Sequence, residues 1–331
     1  MEAPLRRFNR LGMALAACAL AACADSQAPE NTRSPLEADP SGGLPTLTTA
    51  KVVTAAAKPA PGPGQYSIDL RFINAPTTTQ EARFNEAKAK WEGIISGDVP
   101  DVTGVIPART CGNAFKTPTF NGTIGSILID VLLQPIDGPG AVLGAAGPCL
   151  VRSADFLSLY GIMFFDIDDL DFLEDLGFFD EVVIHEMGHV LGFGTLWNFG
   201  RNLLEGGAPD PRFIGPLAIA AYDDLGGEGT VPVEGDQGGG GTLFSHWDEA
   251  TFFNELMTGF LNSSADANPL SDLSVASMGD LGYVVNLGTG DRYRLPRDTG
   301  PPSIASIVAS QGPGLDLKGR ERLLRPVAVV R

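Results

Sequence analysis

The amino-acid sequence predicts a fold of the α+β class. Near residue 65 the run QYSIDLRFIN alternates apolar and polar residues as a strand does, and the stretch after Thr77 places apolar residues at helical spacing. Further strand-like runs at 125–136 and 160–167 precede a helix-like run at 178–192. The 41 glycines and 25 prolines favour a loop-rich fold with short strands over a helical bundle.

The composition allows a sizeable core and restricts the possible partners. Of 331 residues, 44% are hydrophobic and 8% aromatic, which suffices for one large domain or two smaller ones. The formal net charge of −17 argues against a nucleic-acid partner or an anionic membrane surface, because phosphate groups would be repelled. We therefore expect no nucleic acid among the partners.

Residues 1–22 are expected to be a signal peptide, because a basic start is followed by an apolar run too short to span a bilayer. The run ends in Leu-Ala-Ala-Cys, which resembles the lipobox of bacterial lipoproteins and makes Cys23 the lipidated first residue. This predicts an exported protein, at the outer membrane or cell surface, that touches the membrane only through a lipid anchor. The alternative is an ordinary secretory signal and a periplasmic or extracellular protein.

The amino-acid composition divides the rest of the chain into a tether, a folded domain and a tail. Residues 23–64 are rich in Pro, Ala, Thr and Gly with few large apolar side chains, as in a flexible tether. Residues 65–290 are expected to form the folded domain, with subdomains 65–193 and 194–290. The sequence assigns no role to the tail, 291–331, and its end PVAVV is either loosely packed or a final edge strand.

After removal of the signal peptide, Cys111 and Cys149 remain as a pair in an exported chain. Oxidising surroundings make a disulfide between them the expected state. The alternative is two buried free thiols.

The segment HEMGH contains two of the three histidines of the chain, His185 and His189. Four residues advance an α-helix by about 400°, so both imidazoles share one face and can hold one metal ion. Glu186 is close enough to accept a proton from a water on that metal. A catalytic zinc usually has three protein ligands, and the remaining histidine, His246, is the candidate for the third.

Together, HEMGHVLGFGTLW and the later HWDEATFFNELMTG resemble leishmanolysin-type metallopeptidases, a branch of the metzincins. Typical metzincins have the third histidine where this chain has Thr195. The leishmanolysin branch inserts a long segment there, as the stretch from Gly192 to His246 does, and Met257 matches its methionine turn. The resemblance covers roughly 160–285, and the chain is much shorter and poorer in cysteine than the surface proteases of that branch.

This resemblance implies a metzincin-like zinc peptidase with a twisted mixed sheet and an active-site helix above a mostly helical and irregular C-terminal subdomain. It implies one catalytic zinc ion held by His185, His189 and His246, with Glu186 as the general base. The expected activity is exported zinc-dependent endopeptidase. The substrate would lie extended along the edge strand that precedes the active-site helix, for which GIMFFD (161–166) is the candidate.

Two other classes of function stay open. One is a non-peptidase zinc hydrolase with the same ligands, and the other is a binding or adhesive surface lipoprotein with a structural zinc site. Glu186 argues against the second, because a structural site does not need a base. The expected partner is a protein or peptide substrate, and the expected state is a monomer.

Overall fold

The computed structural model describes residues 65–236, 242–262, 268–296 and 314–330. The expected signal peptide, Cys23 and the tether lie outside the described residues. Within them, no helix has the length and apolar character needed to cross a bilayer.

The described residues form a mixed α and β structure, which confirms the α+β class. The strands are β1 (Ile68–Phe72), β2 (Val102–Ile106), β3 (Phe120–Ile124), β4 (Ile127–Gln134), β5 (Gly144–Arg152), β6 (Ser158–Asp166), β7 (Leu204–Glu205), β8 (Arg212–Phe213), β9 (Val231–Pro232), β10 (Phe260–Leu261), β11 (Leu315–Asp316), β12 (Glu321–Leu323) and β13 (Ala328–Val330). The helices are α1 (Thr78–Ile94), α2 (Ile167–Leu176), α3 (Phe179–Leu191), α4 (Pro216–Asp224), α5 (Glu249–Phe252) and α6 (Asp272–Leu281).

The main sheet has six strands in the order β1-β4-β6-β5-β12, and β13 also pairs with β5. Strands β1, β4 and β6 are parallel, β5 runs antiparallel to β6, and β12 and β13 run parallel to β5. Strands β4, β5 and β6 are almost entirely buried, because both faces of the sheet are covered.

The prediction that GIMFFD is an edge strand is wrong. These residues belong to β6, which lies inside the sheet with β4 on one side and β5 on the other. Sequence analysis missed β5, because its sequence GAAGPCLVR contains small residues and Pro148 and has no alternating pattern. The next strand of the sheet after β6, on the side away from β4, is therefore β5.

Helix α1 confirms the predicted amphipathic helix. Thr77 and Gln80 form a capping box at its start, which satisfies two free backbone N–H groups. Its predicted apolar face is buried and consists of Phe84, Ala87, Trp91 and Ile94. The Trp91 indole Nε1 donates to the carbonyl of Ile184, 3.0 Å away, which fixes α1 against α3.

Part of the tail belongs to the folded structure. β11 pairs with β10, and β12 and β13 add to the outer edge of β5. Residues 326–330, for which the sequence left a loose tail or an edge strand open, contain β13. Packed structure therefore extends beyond the boundary expected at residue 290.

The sheet separates two apolar cores. The larger one lies between the sheet, α1, α3 and the C-terminal half, and the smaller one lies under the β2–β3 hairpin. Cys111 and Cys149 belong to the smaller core and are joined by a disulfide, with an S–S distance of 2.03 Å. The bond connects the β2–β3 loop to β5.

Reduction of this disulfide should lower the free energy of unfolding by about 3–4 kcal/mol, because a bond across 38 residues restricts the unfolded chain. Urea unfolding with and without dithiothreitol measures the difference. The matched control is the double variant Cys111→Ser, Cys149→Ser, which dithiothreitol should leave unchanged. Two titratable thiols in the unfolded, unreduced protein would contradict the pairing.

Candidate metal centre

Helix α3 carries the first two histidines in a buried position. It packs between α1 and the sheet, and His185 and His189 are both 0% exposed. The helix ends at the predicted residue, Gly192, whose φ of 121° favours glycine. The chain then turns back, so that the carbonyl of Phe193 accepts a hydrogen bond from Nδ1 of His189, 3.0 Å away.

His246 comes from a segment that packs closely against the turn after α3. Its backbone carbonyl accepts from the N–H of Glu234, and the N–H of the following Trp247 donates to the carbonyl of Met257. Thr195, which has the spacing of the third ligand in typical metzincins, donates its hydroxyl to the carbonyl of His189 instead, at 2.7 Å. His246 rather than Thr195 therefore joins the other two histidines.

The three imidazoles converge on one point. Their Nε2 atoms are 2.9 Å apart for His185 and His189, 3.1 Å for His185 and His246, and 3.0 Å for His189 and His246. Each opposite ring nitrogen, Nδ1, faces a backbone carbonyl, those of Leu256 (2.8 Å), Phe193 (3.0 Å) and Thr242 (3.1 Å).

This pattern of hydrogen bonds suits the cluster to bind a cation. A carbonyl oxygen only accepts, so each Nδ1 carries a proton, and in the neutral ring each Nε2 then presents a lone pair. Burial lowers the pKa of His189 well below its ordinary value, and His185 and His246 lower it further, so its ring is neutral. The Nε2 separations fall within a few tenths of an ångström of about 3.3 Å, the edge of a tetrahedron with Zn–N of 2.0–2.1 Å.

A fourth ligand comes from the tail. The carboxylate of Glu321 lies 3.3 Å from Nε2 of His185 and 3.1 Å from Nε2 of His246, and the residue is 1% exposed. The ligand atoms of all four residues lie within 4.8 Å of one another. Burial alone would raise the pKa of Glu321, but positive charge on His246 and His185 would hold it below its ordinary value, and a cation bound among the histidines would act in the same direction.

Sequence analysis missed Glu321. It is 75 positions after His246, in a tail rich in charged residues, and no motif marks it. Only the pairing of β12 with β5 brings it to the histidines. The buried group His185, His189, His246 and Glu321 can hold a metal ion.

Glu186 lies on the same helix and is 2% exposed. Its Oε2 atom is buried and has no hydrogen-bond partner among the described residues. Burial, and after it the nearby Glu321, raises the pKa of Glu186 to about 8. A buried carboxyl group without a partner costs free energy, so it is the kind of group that a fold retains for chemistry.

Met257, which the resemblance implies to be a methionine turn, packs against α3 at Gly188, between His185 and His189. A Cβ atom at Gly188 would lie 2.9 Å from Cζ2 of Trp91 and 3.0 Å from Cε of Met257, so glycine favours the close approach of the helix to both side chains. In the same turn the carbonyl of Leu256 orients His185.

A buried glutamate that sequence analysis did not single out, Glu255, holds this turn. Its carboxylate accepts from the N–H of Met257 (2.6 Å), from the N–H and hydroxyl of Ser271 (2.9 and 2.7 Å) and from the hydroxyl of Ser274 (2.6 Å). The indole Nε1 of Trp247 donates to the same Ser274 hydroxyl, 2.9 Å away. The network thus links the neighbour of His246 to the turn that orients His185.

Comparison with protein-family models and with the sequences of curated proteins finds no match. The similarity to leishmanolysin-type metallopeptidases stays a prediction from the motif residues.

Removal of metal should destabilise the protein, because it leaves three lone pairs facing one another. If the free metal concentration is about 1,000 times the dissociation constant, removal of the metal by a chelator should lower Tm by about 10 °C. Thermal unfolding, with metal content measured before and after chelation, checks this. The control is His246→Ala, in which the chelator should change Tm much less. An unchanged Tm in the metal-free natural chain would contradict the metal centre.

Proposed function

We propose that the protein is an exported zinc-dependent endopeptidase of metzincin architecture. The observation that carries the proposal is the convergence of the three Nε2 atoms beside Glu186, whose buried Oε2 has no hydrogen-bond partner among the described residues. Supporting features of the fold are the antiparallel strand β5 beside β6, the helix α3 over the sheet and the methionine turn below the ligands.

The ligand set supports zinc as the metal. Neutral imidazoles suit zinc and its transition-metal neighbours, whereas calcium and magnesium prefer oxygen ligands. The carbonyl partners of the Nδ1 atoms fix the rings and make the Nε2 atoms better donors. When bound, zinc polarises the scissile carbonyl and acidifies a water molecule in its open position.

Glu186 would move the proton. Its Oε2 accepts a proton from the attacking water and passes it to the leaving amine nitrogen. A zinc ion bound nearby would lower the pKa of Glu186 from about 8, so that the carboxylate could accept the proton near neutral pH. The surrounding apolar core excludes other water from this carboxyl group.

One observation favours a different function. Four protein ligands are typical of a structural zinc site, and Glu321 completes such a set. A binding or adhesive surface lipoprotein with a structural zinc is therefore the second candidate. In that case Glu186 would have no role, and the lipid anchor at Cys23 would serve only to display the domain.

Two variants separate catalysis from metal binding. Glu186→Gln should lower the hydrolysis of fluorescein-labelled casein by about 10²-fold or more while zinc stays near one per chain, because the ligands are intact. His246→Ala should bind zinc more weakly as well, because it leaves only two imidazoles and the Glu321 carboxylate as ligands. Casein hydrolysis and elemental analysis of the metal measure both effects.

The matched control is Glu181→Gln, on the same helix, because this carboxylate contacts Asn268 (2.8 Å) and not the histidines. Its activity and zinc content should equal those of the natural chain. Full activity in Glu186→Gln would exclude the assigned base. A chelator-sensitive esterase that does not cleave casein would favour the non-peptidase hydrolase.

A further inference from the structure

Strands β12 and β13 occupy the edge of the sheet nearest the metal centre. β12 pairs with Gly144–Ala146 of β5, and hydrogen bonds continue to the end of the strand. They run from Leu143 N–H to the carbonyl of Arg320 (2.7 Å), from Leu324 N–H to that of Ala146 (2.7 Å), and from Val327 N–H to that of Cys149 (2.8 Å). A peptide that bound by strand addition would need these same groups.

The same segment fills the fourth position of the site. Glu321 presents a side-chain carboxylate to the histidines, where a catalytic zinc must keep a water molecule. Among the described residues, the segment contacts the Nε2 atoms through this carboxylate and not through a peptide carbonyl. The segment therefore blocks the centre without offering a bond to cleave.

The rest of the protein packs closely against residues 320–330. Gly147 has a φ of 151°, and a Cβ atom there would overlap the carbonyl of Leu324, so only glycine allows the close approach. The guanidinium of Arg325 donates to the carbonyls of Gly194 (2.9 Å) and Thr195 (2.6 Å) and to the hydroxyl of Ser245 (3.0 Å). Arg325 thus ties together the loops that follow His189 and precede His246.

Electrostatic attraction also favours the packing of residues 314–330 against the rest of the protein. Residues 314–330 have four basic side chains and two acidic ones, in a chain whose net charge is −17. The ammonium of Lys318 lies 3.8 Å from the buried carboxylate of Glu234. An acidic body attracts this basic segment.

We propose that residues 320–330 are an intramolecular inhibitor, which covers the substrate edge of β5 and places Glu321 in the fourth ligand position. This inference rests on the proposed function. Residues 314–319 anchor the segment, because Leu315 and Leu317 belong to the larger core and β11 pairs with β10. The intact chain then keeps only part of its activity, and loss of residues 320–331 opens the site.

The experiment uses two variants of the full chain, Glu321→Ala and a chain that ends at Gly319, which keeps the anchor. Both are loaded with Co²⁺, and acetohydroxamate, a small metal-binding probe, is titrated while the visible spectrum is followed. Each variant should retain about one Co²⁺ per chain, because three imidazoles remain. Both should bind the probe at least 10-fold more tightly than the natural chain does. The matched control is Asp316→Ala, an exposed carboxylate of the same tail, which should behave as the natural chain.

Casein hydrolysis by the zinc forms gives the second readout. Both opened variants should cleave at least 10-fold faster than the natural chain. A synthetic peptide of residues 320–331, added to the chain that ends at Gly319, should inhibit it again. The same peptide with Glu321→Ala should inhibit much less.

The outcomes separate the two proposals. Equal probe binding in all chains, or loss of Co²⁺ from Glu321→Ala, overturns the inhibitor, and the second result makes Glu321 a structural ligand. If casein cleavage is then still abolished by Glu186→Gln, the proposed function stands alone. If the variants bind the probe more tightly but none of them cleaves casein, Glu321 does block the fourth ligand position and the proposed peptidase function is wrong.

Discussion

The Nε2 atoms of the three imidazoles lie 2.9–3.1 Å apart, and in the neutral rings their lone pairs repel one another unless a cation lies among them. The backbone enforces this arrangement, because the carbonyls of Leu256, Phe193 and Thr242 keep each ring in one tautomer. These carbonyls belong to three separate loops. A bound cation would thus let these loops meet in a buried space.

The rest of the structure holds the loops where the rings require them. Glu255 fixes the turn that contains Leu256, and the positive φ of Gly192 brings Phe193 back under His189. Arg325 connects the carbonyls of Gly194 and Thr195 to Ser245. The C-terminal segment therefore contributes to the site in two ways. Arg325 binds the loops, and Glu321 contacts the histidines.

The parts of the fold that sequence reasoning predicted are those with local patterns. Helix α3 and its two histidines follow from a four-residue spacing, and α1 follows from its cap and its apolar period. His246 was inferred from the histidine count and the resemblance, and the structure places it with the other two.

Features that depend on distant pairing had no sequence signal. Glu321 reaches the centre only because β12 pairs with β5, and β5 itself was missed because small residues and Pro148 obscure its period. Missing β5 also made β6 look like an edge strand. Glu255 resembles any acidic residue in sequence, since its serine partners lie 16 and 19 residues later.

The central claim is that one metal ion lies among the three Nε2 atoms and the Glu321 carboxylate. X-ray absorption at the zinc edge of the zinc-loaded natural chain measures its ligands directly. We expect one zinc per chain with three nitrogen neighbours at about 2.0–2.1 Å and oxygen at about 2.0–2.2 Å. In Glu321→Ala the three nitrogen neighbours should remain. Fewer than three imidazole ligands, or a sulfur neighbour, would contradict the account.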